Sequence, residues 1–173
     1  KRYFWISLVF WLVMVAPAQA ALILRVAVQE GAEQVKVGSS TKAAIRDGSG
    51  RNLGELTANS AQSAQFRSGK VAIGSWAANQ IWIEPIGNGY VWIGDRWYRG
   101  RTLLIPQKSG LTAVNYVDIE QYLYSVLGAE MSGNWPQEAL KAQAVAARSY
   151  ALHQRLKSET DIYDVDNTQS SQV

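Results

Sequence analysis

Residues 111–131 read LTAVNYVDIEQYLYSVLGAEM, and the hydrophobic period changes inside them. Up to Val117 the run is rich in β-branched and aromatic residues with a strand-like period of two. From Asp118 onward the apolar positions are Ile119, Tyr122, Leu123, Val126 and Leu127, which is the spacing of one face of an α-helix. Asp118 is a good N-cap, and Gln121 three residues later completes a capping box. The switch divides the chain into a β-rich part, about 22–116, and a helical part, 117–157. The expected class is α+β, with the strands packed against two consecutive helices at about 118–131 and 135–157.

Working upstream, LILRVAV, EQVKV, KAAIRD, VAIG, IWIEP, VWIG, RWYRG and RTLLIP are short runs separated by turn signals such as EGA, GSS and GSG. IWIEP and VWIGD are joined through IGNGY, a glycine-asparagine turn suited to a hairpin. In that hairpin Trp82 and Trp92 would share one face, with Ile and Val on the other. Rings placed so can stack on sugars, although tryptophan buried in a β core is the commoner case. The two runs resemble each other, but one matching pair does not define a repeat architecture. ANSAQSAQFRSGK is small and polar, which fits a long surface loop or a weak strand.

Downstream, the first helix is expected to stop at Ser132-Gly133. Asn134 then reads as the cap of a second helix, with Pro136 in its first turn and Gln137 completing another capping box. Its many alanines permit close approach by a packing partner. The tail, DIYDVDNTQSSQV, is polar and without a period.

The first helix poses a question at its end, because the next position on its apolar stripe is Glu130. Burial and the negative end of the helix dipole both disfavour a charged carboxylate, so both raise its pKa. A carboxyl group kept protonated in this way can donate a proton to a leaving group. It can equally bond the free N–H groups of the second helix, or pair with Arg148 as a structural ion pair. Arg148 and Lys141 are the nearest candidate cations.

Composition narrows the alternatives. The chain has 173 residues, 47% hydrophobic and 18% charged, as in a globular protein. It has no cysteine and one histidine, His153, which excludes disulfides, thiolate zinc sites and multi-histidine metal sites. The first twenty residues, KRYFWISLVFWLVMVAPAQA, have a basic start, an apolar run and Ala18-Gln19-Ala20. This order matches a secretory signal peptide cleaved after Ala20, leaving 21–173 as the working domain; an uncleaved segment would anchor it to the membrane. Without Lys1 and Arg2, 15 basic residues face 14 acidic ones, for a net charge of +1. The charges are interspersed, so no nucleic acid partner is expected.

Three stretches carry a family resemblance: Tyr98-Arg99-Gly100, VNYVDIEQYLYSVLGAEM, and WPQEALKAQAVAARSYAL from Trp135 to Leu152. Together they resemble the SpoIID/LytB family of stage II sporulation protein D and amidase enhancers, gapless from Val114 to Leu152. The resemblance implies a peptidoglycan lytic transglycosylase, acting in the periplasm or cell wall on glycan strands, especially strands stripped of stem peptides. It makes Glu130, in the AEM triplet, the catalytic acid. Arg148, Gln143 and Lys141 fall in the matching second stretch as candidate substrate-binding residues, whereas Tyr150 reads as core. Some members place Cys and His after the second helix and bind zinc; neither follows here, so no metal and no cofactor is expected. The family domain normally continues past a pair like Gln172-Val173, so the domain is expected to be incomplete at that end. The amidase-enhancer branch implies the other reading, a non-catalytic wall-binding module that assists a cell-wall amidase.

Overall fold

Alternation turns into strands, and the strands distribute their aliphatic residues between two sheets. The computed structural model describes residues 21–130, 134–158 and 161–166, with 129 and 130 as backbone alone. The expected signal segment 1–20 lies outside the described residues. Six strands come first: β1 (Ile23–Ala32), β2 (Gln34–Ser39), β3 (Ala43–Asp47), β4 (Asn52–Leu56), β5 (Ser60–Arg67) and β6 (Lys70–Ile73). Next are β7 (Trp76–Ala78), β8 (Ile81–Pro85), β9 (Val91–Ile93), β10 (Arg96–Tyr98), β11 (Arg101–Gln107) and β12 (Gly110–Asp118). Helices α1 (Ile119–Glu130) and α2 (Gln137–Lys157) follow, then a short β13 (Val165–Asp166).

One sheet has the order β13-β1-β12-β11-β8-β3-β4, the other β10-β9-β2-β5-β6-β7. Between them lies a core in which Val35, Val37, Val71, Ile73, Val91 and Ile93 of the second sheet meet Ile45, Ile81, Ile83 and Leu104 of the first. All ten are fully buried. A short pattern recurs in the second sheet: Val35-Lys36-Val37-Gly38, Val71-Ala72-Ile73-Gly74 and Val91-Trp92-Ile93-Gly94. In each copy the two aliphatic residues belong to the core, and the chain later crosses to the first sheet as β3, β8 or β11. The VWIG run of β9 therefore has its counterparts in β2 and β6, whereas IWIEP belongs to β8 of the other sheet.

Three expectations are corrected by this arrangement. IWIEP and VWIGD do not form a hairpin: β8 pairs with β3 and β11, whereas β9 pairs with β2 and β10. Both strands turn their aliphatic residues inward from opposite sheets, so the connection must cross the sandwich. Thr41 Oγ1 donates to the Ile86 carbonyl at 3.0 Å and Ser40 Oγ accepts the Tyr90 N–H at 2.8 Å, which pins that connection. Trp82 and Trp92 accordingly share no face; they lie on different sheets and outside the sandwich core. Trp82 stands edge-on to Tyr116 at 4.6 Å and Trp92 edge-on to Trp97 at 5.0 Å. The second helix starts at Gln137 with Pro136, not Asn134, at its N-cap position, extended (ψ 138°) and without a side-chain cap. The polar stretch around residue 64 takes the strand alternative: it is the eight-residue β5, paired on both sides, with Ala64 fully buried.

The helices build a second core beside the sandwich. Asp118 ends β12 and its carboxylate accepts the Glu120 N–H at 2.9 Å, so strand passes to helix with no loop. Ile119, Tyr122, Leu123 and Val126 are buried against Leu24 and Val26 of β1, Val117, Val165, and Ala147 and Ala151 of α2. Leu127 is only half-buried, so the stripe narrows at Val126. Arg25 fastens the chain after α2. Its Nε donates to Asp164 Oδ1 at 3.0 Å, and its other groups reach the carbonyls of Asp161 and Ser158 at 2.6 and 2.8 Å. Asp164 is 5% exposed, and its hydrogen bond raises the Arg25 pKa despite partial burial.

Candidate active site on the helical hairpin

Glu130 is the last residue of α1, the next helical position after the buried Val126. Its side chain, on which the expected rise in pKa depends, lies outside the described residues, as do residues 131–133.

Arg148 is placed clearly. Its Nη2 donates to both carboxylate oxygens of Glu120, at 2.7 and 2.6 Å. Glu120 sits in the first turn of α1, ten residues before Glu130, or about 15 Å along the axis. The arginine thus engages the start of α1 and ties the two helices together there. Both side chains are well exposed, so solvent screens the pair and its worth is about 0–1 kcal/mol. Lys141 lies seven residues nearer the turn, about 10 Å along α2. It is exposed and bonds Glu138 Oε1 at 2.8 Å, an i,i+3 pair. Gln143 is half-buried on the same helix. Tyr150, expected in the core, is half-buried against it, and its hydroxyl accepts a bond from Gln154 Nε2 at 2.8 Å.

The Tyr98-Arg99-Gly100 motif and the VNYVD stretch interlock. Asn115 Nδ2 donates to the Arg99 carbonyl at 3.1 Å. Gly100 follows with φ +90°, and the Tyr116 carbonyl occupies the space that a side chain there would need. The adjoining side chains then form a polar wall. The Arg99 guanidinium lies over the Tyr90 ring at 4.1 Å, and that of Arg101 over Trp82 at 4.3 Å. Glu84 accepts from Arg101 at 2.6 Å and from Arg46 at 3.0 Å. Burial pushes the Tyr116 hydroxyl above its ordinary pKa. The sequence alone assigns no role to these residues, although two of the quoted motifs run through them.

Comparison with known families covers two of the three quoted stretches and leaves out Tyr98-Arg99-Gly100. Residues 107–173 match the model of the SpoIID family, described as stage II sporulation protein. The matched segment carries β12, both helices and β13. An uncharacterized protein of Brachyspira hyodysenteriae (strain ATCC 49526 / WA1) is 46% identical over 87 residues. The match covers 50% of this chain and 23% of that protein, so this chain spans under a quarter of the relative it matches. No solved structure matches.

Proposed function

We propose that the protein is an exported lytic transglycosylase that cleaves peptidoglycan glycan strands, with Glu130 as both acid and base. The observation that carries this reading is the place of Glu130. It closes α1, follows Ile119, Leu123 and Val126 on the buried stripe, and falls within the family segment.

The chemistry needs one carboxyl group. Glu130 protonates the glycosidic oxygen as the bond to the anomeric carbon breaks. The sugar's own C6 hydroxyl then closes on that carbon, and the carboxylate takes its proton. The product ends in anhydro-muramic acid and no water is consumed, unlike hydrolysis by a carboxylate pair. The signal-like order of residues 1–20 supports action outside the cytoplasmic membrane.

The test offers the full chain glycan strands freed of stem peptides and identifies product ends by mass spectrometry. Anhydro-muramic ends are expected. Glu130→Gln keeps shape and hydrogen bonding but cannot supply the proton, so turnover should fall by roughly 10²–10⁴ while substrate still binds. Reducing ends without the anhydro ring, or undiminished turnover in the variant, would remove the reading. A wild-type protein that cleaves nothing but accelerates a cell-wall amidase would establish the amidase-enhancer reading instead.

A further inference from the structure

Strands β1 and β12 run the length of the sandwich. Ile23 lies opposite Asp118 at the end that carries the helices, and Ala32 opposite Leu111 at the far end, roughly 30 Å away. At that far pole the β1–β2, β5–β6 and β11–β12 turns converge. The Phe66 N–H donates to the Glu33 carbonyl at 3.2 Å, which joins the first two. Gly110, with φ +134°, lies so close to the end of β1 that a methyl group there would stand 2.6 Å from the Ala32 carbonyl oxygen. The pole is therefore built of held turns rather than loose loops.

Charges interspersed along the sequence are gathered here by the fold. A cavity of about 600 Å³ is lined by Glu33, Phe66, Arg67 and Lys108, and a second, of about 800 Å³, by Asp47, Arg51 and Lys70. The β5–β6 turn contributes to both. Asp47 is engaged by Arg51 at 3.0 Å. Arg67, Lys70 and Lys108 have no carboxylate partner among the described residues, and Glu33 is outnumbered by the three. Arg67 and Lys70 stand directly opposite each other across a two-residue turn, whose Ser68 and Gly69 have φ of +50° and +76°. Like charges so placed repel and cost stability, and an anion laid against them relieves the repulsion. In the same cavity as Arg67 and Lys108, Phe66 is left 38% exposed. A soluble polyanion would satisfy the cations and leave that ring in water. A lipid surface satisfies both, because headgroups meet the cations while the ring enters the acyl boundary.

We propose that this pole docks on an anionic lipid surface, with Arg67, Lys70 and Lys108 on headgroup phosphates and Phe66 at the acyl boundary. Strand β1 sets the pole at the opposite end from Ile23, so the contact is separate from any anchoring by residues 1–20. A domain docked in this way holds the start of α1 away from the lipid, roughly 30 Å above it.

Hydrogen–deuterium exchange of the full chain on vesicles, read by mass spectrometry, reports the pole separately from residues 1–20. Vesicles of phosphatidylglycerol and phosphatidylcholine in equal parts are compared with vesicles of phosphatidylcholine alone. Amides at 66–70 and 107–110 should slow several-fold on the anionic vesicles at low salt, and not on the neutral ones. Arg67→Gln/Lys70→Gln/Lys108→Gln should lose that protection, since three cations at a lipid surface are worth roughly a hundredfold in partitioning. Phe66→Ala should lose much of it, whereas Lys36→Gln, at an exposed position of β2, should keep it. The Tm of each variant without lipid checks that it folds. Equal protection on neutral vesicles, or protection that survives in the triple variant, overturns the inference. Equal protection by soluble polyphosphate that Phe66→Ala leaves untouched also overturns it, and makes the pole a site for an anionic polymer instead.

Discussion

Gly100 holds φ at +90°, and a methyl group there would lie 2.1 Å from the carbonyl oxygen of Tyr116. Both facts forbid any other residue without a backbone shift, which explains the glycine of the Tyr98-Arg99-Gly100 motif without reference to catalysis. Gly50 is a natural control, with a similar φ of +86° but nothing within 4 Å of where a methyl group would stand. Gly50→Ala should therefore cost only the conformational term, about 1 kcal/mol, whereas Gly100→Ala should cost about 3 kcal/mol as the clash is added. Urea denaturation of the two variants checks this; equal losses would mean that the loop yields freely. Asn115, which holds the same loop by the Arg99 carbonyl, reads in the sequence as one more strand residue. Its role was hidden because the bond it makes depends on which loop lies beside β12.

At the scale of elements, legibility followed the chemistry of the exposed face. Strands such as β8 and β9 alternate Ile or Val with Trp, so they stand out. Strands β4, β5 and β7 bury little and show polar or small residues outward, which leaves turn-like sequences. The first helix was readable to its cap because Asp118 both ends β12 and accepts the Glu120 N–H. The assignment of β8 and β9 to different sheets was not readable, since a sandwich crossing and a hairpin can share the same turn residues. The segment after α2 was opaque for a different reason: its buried acid, Asp164, is satisfied by Arg25, 139 positions earlier in the chain. For the site, helical spacing singled out Glu130 and offered Arg148 as its partner; among the described residues Arg148 instead pairs with Glu120, at the other end of α1. The Arg25–Asp164 pair carries its own prediction. Arg25→Ala strands a buried carboxylate and should cost about 3 kcal/mol, at the lower end for buried pairs because the arginine is partly exposed. Arg25→Ala/Asp164→Asn should recover part of that loss, as read from thermal unfolding. Full additivity of the two single changes would show that the pair is not coupled.

For the whole molecule, the first and twelfth strands are partners: Ile23 lies opposite Asp118 and Val26 opposite Asn115. The same β1 forms the floor under α1 and α2. This closure has a kinetic meaning. The β1–β12 pairing of the larger sheet requires the chain to bring together segments separated by nearly all of its β-rich part, and the loop-closure entropy is spent before those contacts form. Helix α2 buries only Ala147 and Ala151, and the buried stripe of α1 rests on β1, so both have little to hold them until β1 is in place. Refolding should therefore be slow for a chain of this size, in the range of milliseconds to seconds seen for folds rich in non-local contacts. Helical circular dichroism should be gained at the rate of tryptophan fluorescence, and helix formed in the dead time would contradict this order. A chain that emerges N-terminus first, as from a ribosome, would by the same logic keep β1 without its long partner until residues 110–118 have been made.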